Sequence, residues 1–205
     1  MMLAPKQNYQ KMLDQLLAKL PQDGTKKRLL LHACCAPCSS YVLEYLSHYF
    51  DIMLYFYNPN ISPEEEHSFR VRELARLITE MPLSGPVHLD VSEYTPEDFE
   101  TIARGFESLP EGGSRCERCY RLRLAKTADL AAKGGYDYFT TTLSISPYKN
   151  ATWLNTIGKE EGDRVGVPYL FSDFKKKNGY KRSCELSEQY GLYRQDYCGC
   201  VYSKR

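Results

Sequence analysis

Arg28-Leu-Leu-Leu-His32 runs directly into Ala33-Cys34-Cys35-Ala36-Pro37-Cys38. The apolar run suits a buried strand, the cysteines form a loop at its end, and Ser39 to His48 then reads as a helix. The same alternation continues outward. Asp51 to Tyr57 reads as the next strand. The loop Asn58-Pro-Asn-Ile-Ser-Pro63 leads to a long charged helix over about 64–81, with Ser62 as N-cap and Pro63 in the first turn. Val87 to Val91 is a third strand, and Thr95-Pro-Glu-Asp opens a short helix. Gly112-Gly113 precedes a helix that ends near Gly134-Gly135. Tyr138 to Leu143 is a fourth strand, a helix covers about 149–161, Pro168 to Phe171 is a fifth strand, and a last helix covers about 181–190. Upstream, residues 7–20 carry apolar positions at helical spacing, ended by Pro21 and Gly24. Strands alternating with helices predict an α/β fold with a parallel sheet. Ligands bind such sheets beyond the C-terminal ends of the strands, where the first cysteine cluster and Thr140-Thr141-Thr142-Leu143-Ser144 both fall.

At 205 residues the chain is read as a single domain, 1–205, with an N-terminal helical extension (1–27) and a metalloenzyme core (28–201). The net charge of +1 gives no overall pull toward polyanions. Basic residues cluster locally at Lys26-Lys27-Arg28, Lys175-Lys176-Lys177, Lys181-Arg182 and Lys204-Arg205. The 17 tyrosines can pack, hydrogen-bond or stack on bases. Met1 to Lys6 lacks the apolar core of a signal peptide, and no segment approaches the roughly 20 apolar residues of a membrane span. The expected setting is a reducing cytoplasm with no membrane partner, where clustered cysteines read as metal ligands or a redox couple.

Seven of the eight cysteines fall in three clusters: Cys34, Cys35 and Cys38; Cys116 and Cys119 as CxxC; Cys198 and Cys200 as CxC. Short spacings let two sulfurs reach one ion or cluster. The CxxC at the start of a helix gains lowered thiolate pKa values from the helix N-terminus. The CxC pair is compatible with a strained redox disulfide and with a metal clamp. Cys184 reads as packing. His32, beside the first cluster, is a candidate proton donor or a hydrogen-bonded strand-end residue. His48, His67 and His88 read as surface or partly packed, and Trp153 as core. The spacing excludes a radical-SAM CxxxCxxC, because Tyr41 stands where the third cysteine is needed. Neither a Walker loop nor the SGGxDS loop of ATP-pyrophosphatases is present, which argues against ATP activation. Seven thiols exceed the four that one structural zinc takes.

Several longer motifs carry a family likeness. Leu31-His-Ala-Cys-Cys-Ala-Pro-Cys38, Tyr57-Asn-Pro-Asn-Ile61, Arg115-Cys-Glu-Arg-Cys-Tyr-Arg-Leu-Arg-Leu124, Thr140-Thr-Thr-Leu-Ser-Ile-Ser-Pro147 and Leu192-Tyr-Arg-Gln-Asp-Tyr-Cys-Gly-Cys200 together resemble the QueH family of epoxyqueuosine reductases, from about Leu29 to Val201. The resemblance implies a HUP-like (Rossmann-like) fold and the last step of queuosine synthesis, reduction of an epoxide on the wobble nucleoside of tRNA to an alkene. It implies a 4Fe–4S cluster with a second iron close by. Family members can carry Asp at the position of Cys38, which fits a metal ligand. The cluster ligands carry over to Cys34, Cys35, Cys116 and Cys119. Cys198 and Cys200 are left for a redox disulfide or, with Cys38, for the second iron.

The implied partners are tRNA carrying epoxyqueuosine and an unidentified electron donor. His32, Asp196 and Tyr197 are the candidate acids for the leaving oxygen. Lys175 to Lys177 and Lys181-Arg182, with Tyr180, Tyr190, Tyr193 and Tyr197 nearby, are candidate RNA contacts. Two other readings compete: a tRNA thiolation enzyme with an iron–sulfur cluster, and a zinc-binding RNA adaptor without activity.

Overall fold

The computed structural model of the chain describes residues 7–21 and 23–204. The leader reading of Met1 to Lys6 and the last basic residue, Arg205, lie outside the described residues. Four parallel strands, β1 (Lys27–His32), β2 (Phe50–Phe56), β3 (Val87–Val91) and β4 (Tyr138–Thr141), form one sheet in the order β3-β2-β1-β4. The register sets Leu31 beside Leu54 and Thr140, and His32 beside Tyr55 and Thr141.

Strand side chains alternate between faces, so each apolar strand feeds two cores. Leu29, Leu31, Ile52, Leu54 and Phe56 face one core. It is closed by α1 (Tyr9–Leu17), α2 (Ala36–Leu46), α3 (Glu64–Glu80) and α7 (Gly179–Gln189). Leu30, Tyr55 and Phe139 face the other, closed by α5 (Ser114–Gly134) and α6 (Ala151–Val165). A short α4 (Pro96–Ala103) lies against α5. Leu29, Leu30 and Leu31 are fully buried, each contributing about 1.5–3 kcal/mol. That burial on both faces explains why β1 reads as an unbroken apolar run.

The predicted fifth strand is reduced to one parallel bridge, Phe139 with Tyr169. Phe139 N–H donates to the Pro168 carbonyl at 3.3 Å and Leu170 N–H to the Phe139 carbonyl at 2.8 Å, but beyond these the bonds go to side chains. Thr140 Oγ1 takes the Leu170 carbonyl (2.8 Å), and the Asn155 amide takes both the N–H and the carbonyl of Ser172 (2.8 Å each). Pro168 has no N–H to give. Strand β4 likewise stops at Thr141, whose hydroxyl accepts from Leu143 N–H (3.2 Å) and turns Thr142–Ile145 into a 3-10 turn.

Several helix starts differ from the sequence reading, those of α6 and α7 by two residues each (Ala151 and Gly179). Helix α1 is shorter than 7–20, with Asn8 accepting from Lys11 N–H at 3.0 Å as its N-cap. In α3 the N-cap is Pro63 itself, without a side-chain cap, so Ser62 lies one residue outside. Helix α2 starts at Ala36, not Ser39, with Cys35 as N-cap and Pro37 in the first turn, where a missing N–H costs nothing. His67 is buried, its ring 4.6 Å from that of Tyr94 and 5.1 Å from that of Phe56, rather than surface or partly packed; His48 and His88 are exposed.

Candidate metal centre

The early start of α2 builds the site. Cys35 and Cys38 are one helical turn apart, so their side chains rise on the same side. Cys34 joins them from the loop. The three sulfurs lie within 4.8 Å of one another, with Cys34 Sγ 3.8 Å from Cys35 Sγ. Hydrogen bonds from Cys35 and Cys38 hold Cys34 well below the usual thiol range, and the Arg123 guanidinium adds to this. The same bond to Cys34 pushes Cys35 up to about 12, and bonds to Cys34 and Cys35 push Cys38 well up. One thiolate flanked by two donating thiols is a donor set for a thiophilic metal.

The CxxC opens α5 as the sequence predicts. Cys116 accepts from Gly112 N–H at 3.3 Å, and Cys119 turns inward one turn later. Cys119 packs with Cys200, Cys198, Phe99 and Ala103 in a small separate core. Burial pushes the Cys119 thiol up, opposite to the lowering expected for the CxxC at a helix N-terminus. Cys198 is held well below the thiol range, first by a hydrogen bond from Cys200 and then by the Lys149 ammonium; Cys200 is correspondingly raised. Ser203 Oγ lies 3.1 Å from Cys198 Sγ and donates to the Cys200 carbonyl at 2.8 Å. All eight cysteines are free thiols, and no disulfide joins the CxC pair.

The tight group is thus Cys34, Cys35 and Cys38. Cys119 keeps company with Cys198 and Cys200, and Cys116 stands at the head of its helix. Arg123 links the two sets. It donates to Asn58 Oδ1, its Nε lies 3.3 Å from His32 Nε2, and its Nη1 reaches Cys119 Sγ at 4.0 Å. Asn58 in turn donates to the Ala33 carbonyl at 2.8 Å, fixing the residue that precedes Cys34. His32 is fully buried. Its Nδ1 lies 2.8 Å from Thr141 Oγ1 and its Nε2 3.1 Å from the Tyr57 carbonyl. Burial, then Arg123, pushes its pKa down to about 3, so the imidazole is neutral at neutral pH. Both ring nitrogens of His32 thus have polar neighbours at the end of β1.

A cavity of 410 Å³ opens above the three thiols. That is within the roughly 300–1,000 Å³ usual for small-molecule sites. Cys34, Cys35 and Cys38 line it beside Cys198, Arg70, Arg123 and Lys149, with Asp196 and Tyr197 among the other lining residues.

Four of the five residues read as phosphate contacts have carboxylate neighbours in the fold, and Lys176 is exposed. Lys175 pairs with Asp173 (2.5 Å), Lys177 with Asp14 (2.6 Å), Arg182 with Glu44 (2.6 Å), and Lys181 lies 4.0 Å from Glu185. Cys184 is half-buried beside Tyr180, and Trp153 is half-buried against the second core. Of the cavity-lining residues, Arg70, Arg123 and Lys149 were not singled out from the sequence. For Arg123 a signal existed: it follows Cys119 by four residues, on the same helical face.

Among the described residues no helix is long and apolar enough to cross a membrane. The sequence model of the family described as Epoxyqueuosine reductase QueH matches residues 29–205. The chain is 41% identical over 200 residues to the Epoxyqueuosine reductase QueH of Streptococcus pyogenes serotype M1, covering 97% of this chain and 78% of the relative. It is 41% identical over 200 residues to that of Staphylococcus epidermidis, covering 96% and 84%. It is 37% identical over 178 residues to that of Thermotoga maritima, covering 85% and 89%. With the thiol motifs lying inside a match that spans nearly the whole chain, the protein belongs to the epoxyqueuosine reductase QueH family.

Proposed function

We propose that this protein reduces the epoxide of epoxyqueuosine in tRNA to the alkene of queuosine, at a thiol-held iron centre on the floor of the cavity. The observation that carries this reading is the convergence of Cys34, Cys35 and Cys38 at the C-terminal end of β1, inside a cavity large enough for a nucleoside. The reaction removes the epoxide oxygen as water and consumes two electrons and two protons. A 4Fe–4S cluster with a second iron, held by the seven clustered cysteines, supplies one-electron reduction and Lewis acidity when bound. The donor set fits such groups: sulfur only, partly to fully buried, with Cys34 and Cys198 favoured as thiolates.

The division of ligands follows proximity. Cys34, Cys35 and Cys38 serve one metal site. Cys119, Cys198 and Cys200 pack together in the small separate core, and the division implied by the family likeness, Cys34 and Cys35 with Cys116 and Cys119 on the cluster, stands beside this one. The CxC pair keeps its alternative role as a dithiol couple, since its sulfurs hydrogen-bond to each other. His32 acts as a positioning residue that ties β1 to β4 and to the Tyr57 carbonyl. Asp196 and Tyr197 line the cavity and remain the candidates for delivering a proton to the leaving oxygen. Arg70 and Arg123 offer fixed positive charge where negative charge develops.

The test is anaerobic. Protein loaded with iron and sulfide and then reduced is incubated with tRNA carrying epoxyqueuosine, and the digested nucleosides are weighed. Loss of one oxygen is expected. An unchanged nucleoside under several low-potential reductants overturns the reading and favours a different tRNA modification.

A further inference from the structure

The rim of the cavity carries two tyrosines that the chemistry on its floor does not use. Tyr148 is 74% exposed and Tyr180 36%. Both line the cavity. Tyr148 sits in a tight turn, with its N–H donating to Ser146 Oγ at 3.3 Å and Lys149 N–H donating to the Ser146 carbonyl at 3.2 Å. The turn sends Lys149 inward, to Glu111 at 3.2 Å, and leaves the Tyr148 ring outside. Arg194 lies over the Tyr180 ring, 5.9 Å from its centroid. Unlike Lys175, Lys177 and Arg182, Arg194 has no carboxylate partner among the described residues; it donates to Ser187 Oγ at 3.1 Å. An exposed aromatic pair with an unpaired guanidinium beside a nucleoside-sized cavity is the arrangement that holds single-stranded nucleic acid: rings take bases, the cation takes phosphate.

We infer that Tyr148 and Tyr180 form a stacking site at the cavity mouth for the unpaired base next to the reacting nucleoside, with Arg194 against its phosphate. This rests on the proposed tRNA substrate and adds which side chains read the loop. The tyrosines are positioning residues: they set where the loop lies, so that only the reacting nucleoside descends to the thiols.

The test measures binding of a fluorescent anticodon stem-loop to the iron- and sulfide-loaded protein. Intact loops are compared with loops made abasic on one side or the other of the wobble nucleoside. Tyr148→Ala is expected to weaken binding of the intact loop about tenfold, the scale of one lost base–aromatic stack. Tyr148→Phe keeps the ring and binds as wild type does. One of the abasic loops weakens wild type by a similar factor and costs Tyr148→Ala nothing further, as expected when both changes remove one contact. Arg194→Gln lowers the salt slope of binding by about 1. Equal binding by Tyr148→Ala and wild type, or a full abasic penalty retained in Tyr148→Ala, overturns the inference. A wild-type protein that neither binds nor converts the intact loop instead overturns the functional reading beneath it.

Discussion

The two sets of thiols are held by different kinds of structure. Cys34, Cys35 and Cys38 stand between a strand buried on both faces and the first turn of α2. Their positions follow from the sheet register and the helical spacing. Cys198 and Cys200 stand in an irregular tail after α7, with no strand or α-helix of their own. Charged side chains on α3 hold that tail. Arg76 donates to the carbonyls of Tyr190 (3.0 Å) and Gly191 (3.4 Å), Glu73 accepts from Tyr193 N–H (3.2 Å), and Arg70 donates to the Cys198 carbonyl (3.2 Å). Arg70, Glu73 and Arg76 recur every three residues and so share one face of the helix. The first set is built by packing, which resists single substitutions. The second is fastened by a few polar contacts, which single substitutions can undo. A thiol pair that must change partners or oxidation state suits the second kind of support.

The largest effect should come from the packed set. Cys34→Ala and Cys38→Ala are expected to lower turnover of epoxyqueuosine tRNA by more than about 100-fold, the upper end for losing a mere supporting contact. Mass spectrometry of the nucleosides reads this. Next, Arg123→Ala removes the link between the sets and frees Asn58 from its partner. Iron affinity should fall about 10–100-fold by titration against a chelator, as for loss of a contact behind the ligands.

The fastened set responds in stability. Arg70 is 2% exposed and pairs with Glu66 at 2.7 Å. Arg70→Ala leaves that carboxylate without its charge partner and should cost about 3 kcal/mol in urea unfolding. Gly199 has φ +102, and an added Cβ would meet Ile61 Cγ1 at 2.8 Å. Gly199→Ala should cost about 1–3 kcal/mol and shift the CxC pair, while iron at the first set is retained.

The smallest effect is one of pH. The Arg76 hydrogen bond holds the Glu73 carboxyl below its ordinary value of 4.5. A depressed carboxylate contributes fully above its unfolded value, and the contribution is lost as pH falls through the folded value. Limited proteolysis should therefore nick the segment around Tyr193 faster below about pH 4.5 than at pH 7. Glu73→Gln should abolish that difference.

How far the sequence could be read follows the same divide. β1 was legible because a strand buried on both faces is an apolar run, and α5 because glycines and CxxC precede an amphipathic stretch. The convergence of Cys34, Cys35 and Cys38 was half-legible. Their spacing marks them as a cluster, but starting the helix at Ser39 hid the turn that brings Cys38 back to Cys35. The bridge at Tyr169 looked like a strand because its residues have strand character. What stopped it was Thr140 and Asn155, distant side chains that take the backbone groups a ladder needs. The partners of Lys177 and Arg182 near α7 were not legible because Asp14 and Glu44 lie far away in the chain. The tail was least legible, since its anchors on α3 are charged residues that sequence alone reads as a solvated face.

The most direct test of the metal centre is the iron content and visible absorbance of the anaerobically loaded protein, wild type against Cys34→Ala. Wild type should bind iron and sulfide and be coloured, and Cys34→Ala should lose the iron of the first set with its absorbance while remaining folded by circular dichroism. Full iron content and an unchanged spectrum in Cys34→Ala would contradict the assignment of these three thiols as the metal-holding floor of the cavity.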